Sequence, residues 1–270
     1  MTIFKVTESG LKRNLQVRQW GSKDPRHFIK RKVPTKGHHM LVLGVDLETS
    51  GLSFEKDQII EIGAVLWDTE GQAPKKIFNE LIYFDNIDLS NEVQSITGIS
   101  SEDLKTYGIP LSDALKTLTE LANQAEYLVG HNAISFDSEF LNQAYLSYQM
   151  PKLKKPWIDT LTDIPYAQEI KTRKLSYLAA EHGFLNPFAH RALFDVLTTL
   201  KLLSKYDIEE IVMIQQSPLV KVFAHVGFDD RDKARRIGFR WDPQKRHWFS
   251  EVKQALIPRM DYPFEYSIED

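Results

Sequence analysis

The sequence contains no cysteine among its 270 residues, which excludes a disulfide framework and any thiolate metal site. It also lacks an uncharged apolar run near the roughly 18 residues that cross a bilayer. The N-terminal stretch MTIFKVTESGLKRN has no apolar segment of the kind found in signal peptides. We therefore expect a cytoplasmic protein that does not associate with membranes.

The residues that are present suit a folded protein, with 42% hydrophobic and 11% aromatic side chains. Charge is distributed unevenly along the chain. Residues 1–40 carry ten basic and two acidic side chains, whereas residues 41–206 carry 14 basic and 23 acidic ones. Residues 218–258 are basic again, with nine basic and five acidic side chains. An acidic centre between basic ends suits a metal-dependent enzyme acting on a polyanion, although basic termini can equally be solvated tails.

Composition and periodicity predict four segments. Residues 1–40 mix Lys, Arg, Pro and Gly without apolar periodicity, so we interpret them as a basic extension. Residues 41–206 form the main domain, and residues 207–217 form a linker or helix. Residues 218–270, which follow Ser217 and include an acidic tail, are predicted to be a small basic and aromatic module.

Within the main domain, the pattern predicts three strands that form an antiparallel meander, followed by helices that alternate with short strands. Two helices, SSEDLKTYG and PLSDALKTLTELANQ, begin with apparent serine caps, and a last helix spans about Ala192 to Leu203. In the C-terminal module the pattern predicts a strand, a short helix and a hairpin that turns at Asp242 and Pro243. Together these elements predict a mixed α/β sheet with helices on its faces.

Two acidic residues end the first strand, in the stretch VLGVDLETSGL. Asp46 and Glu48 stand two residues apart, so a strand projects both side chains to one face. Two carboxylates about 4 Å apart repel by roughly 4 kcal/mol at an effective dielectric near 20. A shared proton, a basic partner or a hard cation such as Mg²⁺ or Mn²⁺ would relieve that repulsion. Taken alone, such a pair is more often a solvated strand edge than a metal site.

Two later stretches supply partners for this pair. LVGHNAISFDSEFL presents Asp137 near a helix start, and HRALFDVLTTLKLL presents His190 and Asp195. In this order and spacing, VDLETSGL, GHNAISFD and HRALFDV resemble the three motifs of the DEDDh, or DnaQ-like, 3′→5′ exonucleases. The resemblance covers about residues 41–205. The second motif is one residue longer than the common form of the family.

The resemblance implies a fold and a site. The fold would be ribonuclease H-like, a mixed five-stranded sheet flanked by helices, with a small C-terminal α+β module appended. Asp46, Glu48, Asp137 and Asp195 would bind two Mg²⁺ or Mn²⁺ ions, whose charge the four carboxylates balance. His190 would be the general base. Five residues along a helix turn about 500°, so His190 and Asp195 cannot share a helix face, and we predict that His190 lies on the preceding loop.

The resemblance also indicates residues that contact the terminal nucleotide. These are Thr49, Gly51 and Leu52, with Leu52 stacked on or wedged against the base. The alternative is that Leu52 closes the core beneath the turn. Asn132 and Phe136 are further candidates for substrate binding, although Asn132 could instead position the backbone.

The C-terminal module interleaves basic and aromatic residues in ARRIGFRWDPQKRHWF. Cations for phosphates and aromatic faces for bases are the elements of single-strand binding. A module this small also needs its large aromatic side chains for a core. We predict that most of the aromatics are core residues and that the basic side chains contact nucleic acid: Arg235, Arg236, Arg240, Lys245 and Arg246.

These observations predict a metal-dependent 3′→5′ exonuclease that releases nucleoside 5′-monophosphates, with single-stranded DNA the favoured substrate. An RNA exonuclease of the same fold is the nearest alternative. A nucleic-acid-binding protein without catalysis is the alternative from another class, and it would not need all four acids and the histidine. Polymerase or repair proteins are candidate partners, with proofreading and repair as candidate roles.

Overall fold

A mixed sheet of five strands runs through the computed structural model, which describes residues 40–269. The strands are β1 (Leu41–Thr49), β2 (Ile59–Asp68), β3 (Ala73–Leu81), β4 (Tyr127–Gly130) and β5 (Trp157–Asp159). Their order is β3-β2-β1-β4-β5; the first three strands pair antiparallel, and β4 and β5 run parallel to β1. The mixed five-stranded sheet expected from the sequence is therefore confirmed.

Helices cover both faces of this sheet. They are α1 (Asn91–Thr97), α2 (Ser101–Tyr107), α3 (Leu111–Gln124), α4 (Asp137–Ser147), α5 (Leu175–Glu181), α6 (Ala192–Leu203) and α7 (Ile208–Gln216). Leu43 and Val45 of β1 pack in one core with α3 and α4, while Val42 packs in the other core with α6. Because successive strand residues point to opposite faces, a single strand contributes to both cores.

The two predicted serine caps had different outcomes. Ser100 begins α2 with a capping box, in which its side chain accepts from the Asp103 backbone and the Asp103 carboxylate accepts from the Ser100 backbone. The cap predicted for α3 is wrong, because that helix begins after Pro110 and no side chain caps it. Proline holds φ near the helical value and has no N–H to satisfy, so it suits a helix start.

Two glycines let α6 approach the sheet closely. A Cβ on Gly44 of β1 would lie 2.8 Å from side-chain atoms of Val196 and Leu200. A Cβ on Gly63 of β2 would lie 2.5 Å from the backbone carbonyl carbon of Ala192. Any larger residue at these positions would push the helix outward. The two glycines therefore set how near the first turn of α6 comes to the end of β1.

The C-terminal part forms a second sheet of four strands. Its elements are β6 (Leu219–His225), α8 (Arg231–Arg236), β7 (Arg240–Asp242), β8 (His247–Lys253) and β9 (Glu265–Glu269), with sheet order β7-β8-β6-β9. The hairpin predicted at Asp242 and Pro243 joins β7 to β8. The acidic tail is a strand, β9, that pairs antiparallel with β6. The described residues all lie in one compact unit, residues 38–270.

The aromatic side chains of this module divide between its core and its surface. Phe239 is buried with Val220 and Val222, whereas Trp241 keeps 47% of its surface exposed. The division of the chain into domains at residues 206 and 218 stays a prediction. Residues 1–39 of the predicted extension lie outside the described residues. Within residues 40–269, no helix combines the length and apolarity that crossing a membrane requires.

Candidate active site

The acidic pair at the end of β1 occupies one face of the sheet. Asp46 and Glu48 lie opposite Gly63 and Glu61 of β2, and Leu47 between them packs into the core on the other face. With Asp195 of α6, one carboxylate oxygen from each of Asp46 and Glu48 falls within 4.8 Å of the others. The structure thus brings together three residues that are separated by up to 149 positions in the chain.

Asp137 joins this group through the backbone of β1. It is the first residue of α4, is buried, and accepts a hydrogen bond of 2.9 Å from the Leu47 N–H to its Oδ1. Leu47 stands between Asp46 and Glu48, so this bond fixes the second motif to the first. The three-residue group within 4.8 Å does not include Asp137. We call Asp46, Glu48, Asp137 and Asp195 the acid cluster.

Asp195 is oriented by the loop that precedes α6. Its Oδ1 accepts a hydrogen bond of 2.6 Å from the Asn186 amide, and its Oδ2 accepts one of 2.8 Å from the His190 backbone N–H. Both bonds come from residues within nine positions of Asp195, so the loop and the helix form one local unit. Because Gly63 admits the helix start, this unit rests directly on the sheet.

Electrostatic strain accumulates in the acid cluster. Burial, together with the charges of Asp195 and Glu61, raises the pKa of Glu48 to about 8. Burial also raises the pKa of Asp137 to about 8, although hydrogen bonds from its own backbone and from Leu47 lower it. The pKa of Asp46 is held well above its usual range by desolvation and then by Asp137 and Asp195. Burial raises the pKa of Asp195 as well, so the four carboxyls resist ionising together without a cation.

The cluster fits divalent cations on chemical grounds. All four donors are carboxylates, and oxygen donors are what Mg²⁺ and Mn²⁺ prefer. Burial of several acids with raised pKa values is the pattern expected where bound positive charge offsets their repulsion. Asp46, Glu48 and Asp195 are the residues whose atoms already lie close enough to share an ion.

A fifth acid, Glu61, was not predicted to belong to the site. It is fully buried on β2, and both of its oxygens accept from the Arg191 guanidinium, the shortest contact being 2.8 Å. Its Oε2 also accepts a hydrogen bond of 3.0 Å from the Ala192 N–H. Glu61 therefore holds the first residues of α6 in place. The one signal in the sequence is a glutamate inside the apolar stretch QIIEIGAV, since an unpaired buried charge would be costly.

His190 lies where its spacing from Asp195 predicts. It precedes α6 on a loop, is exposed, and has a left-handed backbone with φ 64°. A residue other than glycine adopts this conformation at a cost of about 1–3 kcal/mol. The Asp195 carboxylate, which accepts from the His190 N–H, helps to hold the loop in that form.

The loop of the second motif is organised by Asp159 at the end of β5. Its carboxylate accepts hydrogen bonds from the N–H groups of Asn132, Ile134 and Leu161. Asn132 has φ 64° and is exposed, with its side-chain oxygen accepting from Ser135. Asp159 thus orders the loop of the second motif, which is one residue longer than the common form. Asp137, after this loop, accepts its hydrogen bond from Leu47 of β1 despite the extra residue.

The predicted nucleotide contacts come from two segments, the turn after β1 and the loop before α4. The turn after β1 is closed by the Ser50 N–H donating to the Gln58 carbonyl, and it leaves Leu52 85% exposed. The alternative that Leu52 closes the core is therefore wrong. Thr49 donates to the Gly51 carbonyl within this turn. Phe136 is half-buried and packs on Phe140 at 4.9 Å between ring centroids, so it belongs in part to the core.

The five predicted basic contacts of the C-terminal module are exposed but separate into two groups. Arg235 and Arg236 end α8, and the other three lie on the β7–β8 hairpin. Arg240 pairs with Glu251 at 3.5 Å, which neutralises part of that surface.

Residues 43–203 match the family model RNase_T, which is described as exonuclease. The DNA polymerase III PolC-type of Ureaplasma parvum serovar 3 is 34% identical over 155 residues, 56% of this chain and 10% of that protein. The PolC-type polymerase of Pediococcus pentosaceus is 32% identical over 176 residues, 65% of this chain and 12% of that protein. The chain spans only about a tenth of the length of these relatives.

Two solved structures share the fold. Escherichia coli exonuclease I in complex with a dA16 oligonucleotide has a TM-score of 0.58 at 16% identity, over 68% of this chain and 48% of that one. The nuclease domain of 3′hExo, a DEDDh family member bound to rAMP, has a TM-score of 0.52 at 20% identity, over 63% of this chain and 92% of that one. At these identities the likeness concerns the fold alone.

Proposed function

Because the chain belongs to the RNase_T exonuclease family and is thereby a nuclease of the DEDDh type, we propose that it shortens single-stranded DNA from the 3′ end and releases nucleoside 5′-monophosphates. The observation that carries this proposal is the acid cluster, in which carboxylates from β1 and α6 lie within 4.8 Å and Asp137 is bonded to β1. A protein that only bound a polyanion would gain nothing from buried acids facing its ligand.

Asp46, Glu48, Asp137 and Asp195 would hold two Mg²⁺ or Mn²⁺ ions. When bound, the ions supply positive charge for the scissile phosphate and the departing 3′ oxygen and acidify a water molecule. The chain contributes a fixed arrangement of oxygens, because Asp137 is bonded to Leu47 and Asp195 to the His190 backbone. His190 is exposed beside Asp195 and would accept the proton of the attacking water at its imidazole.

The terminal nucleotide would occupy the space between the β1 turn and the second motif. The exposed side chain of Leu52 would lie against the last base, and Thr49 and Gly51 would hold the turn that presents it. Asn132 and Phe136 would contact the nucleotide from the opposite side. The basic residues of α8 and of the β7–β8 hairpin would contact phosphates further along the strand.

The choice of DNA is supported by the relatives named above, which are DNA polymerases, while the dA16 and rAMP complexes show both sugar types bound to this fold. RNA is therefore the alternative substrate. Replication polymerases are the proposed partners, since each of those relatives contains a stretch like this chain within a polymerase. Location in the cytoplasm, and roles in proofreading or repair, stay predictions.

Hydrolysis of end-labelled strands tests this function. The protein is incubated with 5′-labelled single-stranded DNA or RNA in Mg²⁺ or in EDTA, beside Asp46→Ala and the exposed control Glu55→Ala. We expect a ladder of 3′-shortened products with the unaltered protein and with Glu55→Ala. A ladder that persists in EDTA or with Asp46→Ala would contradict the metal-dependent site. Absence of cleavage of either polymer in Mg²⁺ and Mn²⁺ would favour a binding protein, and faster cleavage of RNA would reverse the choice of substrate.

A further inference from the structure

A cleft of about 310 Å³ lies between the loop after β5 and the C-terminal module. Residues between 164 and 173, on the loop after β5, form one wall. Residues 236–238 at the end of α8, with Leu256, Arg259 and Met260, form the other. Pockets for small ligands range from about 300 to 1,000 Å³, so this space suits a group the size of one nucleotide unit. We call it the junction cleft.

The junction cleft combines free positive charge with an apolar wall. Of its four cations, Arg259 pairs with Glu210, whereas Lys171, Arg173 and Arg236 have no ion pair with an acidic side chain in the described part of the chain. Apolar lining comes from both sides: Ile164, Pro165, Ile170, Ile237, Leu256 and Met260. An anion joined to a flat apolar group would match both parts of this lining.

Arg173 supplies a more specific observation. Its guanidinium lies over the Tyr166 ring at 4.4 Å from the centroid, so the side chain is held in a defined position. Its Nη1 is buried and has no hydrogen-bond partner among residues 40–269. Leaving a buried donor unsatisfied costs about 1–3 kcal/mol, and more for a charged group. A phosphate bound in the junction cleft would supply the missing acceptor.

The two walls are fixed to each other before any ligand binds. Lys253 of the module pairs with the buried Asp163 at 3.6 Å, and its Nζ also donates to the carbonyls of Gln215 and Ser217. Further along, Gln168 and the Asp261 backbone exchange two hydrogen bonds. The cleft is therefore a preformed feature of the fold.

The junction cleft also adjoins the candidate active site. His131 of the second motif lies close to the Arg173 backbone, and its Nδ1 is 3.0 Å from the Thr160 hydroxyl. The segment that lines the cleft thus lies beside the loop that leads into Asp137.

We propose that the junction cleft is a second nucleotide subsite, which holds one unit of a single strand upstream of the 3′ end. Lys171, Arg173 and Arg236 would contact its phosphate, and the apolar wall at Ile170 and Ile237 would cover its base. The identity of the polymer rests on the proposed function. Occupation of the cleft does not depend on hydrolysis.

Charge reversal on α8 tests this subsite. Binding of a labelled 12-nucleotide single strand is measured in EDTA for Arg236→Glu and for Lys233→Glu, a residue of the same helix that does not line the cleft. Far-UV circular dichroism and the thermal midpoint confirm folding of each variant. We expect Arg236→Glu to weaken binding by about fivefold and to lower the slope of log affinity against log salt concentration by about one. Lys233→Glu should change the affinity less than twofold.

Lys171→Glu tests the opposite wall and should weaken binding by a similar factor. Equal losses with Arg236→Glu and Lys233→Glu would overturn the subsite in favour of diffuse surface charge, and no loss with Arg236→Glu would overturn it outright. Displacement of the strand by micromolar nucleoside monophosphate would assign the cleft to free nucleotide instead. Because binding is measured in EDTA, a specific loss without any hydrolysis in Mg²⁺ would support the subsite while contradicting the exonuclease function.

Discussion

The acid cluster and the junction cleft differ in how the fold accommodates the repulsion between like charges. In the acid cluster, the carboxylates are buried close together, and desolvation raises their pKa values, with repulsion between neighbouring charges adding to the rise for Asp46 and Glu48. In the junction cleft, the cations lie at a partly open boundary and are spread over two walls. The difference indicates that a metal site requires rigid convergence, whereas a strand-binding site requires only charge of one sign at a suitable spacing.

Removing one member of the acid cluster should have the largest effect on activity. Asp195→Asn keeps the hydrogen bond from the His190 N–H but removes a charge, so we expect hydrolysis to fall on the order of 10³-fold. Binding of the single strand in EDTA should stay the same or tighten, because repulsion of the phosphates decreases. Single-turnover hydrolysis and fluorescence anisotropy measure the two quantities. Parallel losses in both would mean that the two regions are not separate in function.

Glu61→Gln should have the next largest effect, although Glu61 is not a proposed ligand. The change leaves the Arg191 cation without its buried partner and beside Glu48, where it would compete with a bound metal ion. We expect the Mg²⁺ concentration for half-maximal activity to rise by about 10-fold or more. Glu80→Gln, on the neighbouring strand β3, is a matched control. An unchanged Mg²⁺ dependence would reduce Glu61 to a purely structural role.

The raised pKa values predict how stability depends on pH. An acid whose pKa is about 8 in the folded protein and about 4 in the unfolded chain binds its proton more tightly when folded. In the metal-free protein, the contribution of these acids to the free energy of unfolding is fully present below about pH 4. It is lost as the pH rises through 8.

Mg²⁺ should reverse that loss. At pH 8, Mg²⁺ at 100 times its Kd would raise the free energy of unfolding by about 2.7 kcal/mol, which corresponds to a rise in Tm of roughly 5–10 °C. At pH 5.5, protons compete for the same oxygens, and the shift should be smaller. Differential scanning fluorimetry with and without Mg²⁺ measures it. A shift that is equal at both pH values would show that the acid cluster is not where the ion binds.

Lys253→Met should have the smallest effect on activity and should act on the junction cleft. The change removes the cation that faces buried Asp163 and two bonds that join the module to α7. We expect binding of a 12-nucleotide strand to weaken by about two- to threefold, with faster amide hydrogen exchange in residues 164–173. Lys221→Met is the control, since Lys221 pairs with Glu251 inside the module. Equal exchange rates in the two variants would contradict a cleft held by Lys253.

Periodicity and motif spacing were sufficient to predict much of the fold. The predicted helix from Ala192 to Leu203 agrees with the structure at both ends, because its apolar residues recur at helical spacing over three turns. The strand β9 was overlooked, because its five residues are all exposed, two of them are acidic, and the strand is ordered by pairing with β6. The short helix α1 was also missed; its Ser90 cap is a weak signal in seven residues.

By itself, the sequence determined the local placement of the candidate residues, since strand alternation places Asp46 and Glu48 on one face and the loop position of His190 follows from its spacing to Asp195. Only the tertiary structure decided how these residues meet. Gly44 and Gly63 admit α6, Glu61 holds Arg191, and the Leu47 N–H binds Asp137. The junction cleft likewise depends on contacts between distant segments, such as Lys253 with Asp163 and Gln168 with Asp261. Such contacts depend on distances between residues far apart in the chain, which local periodicity does not encode.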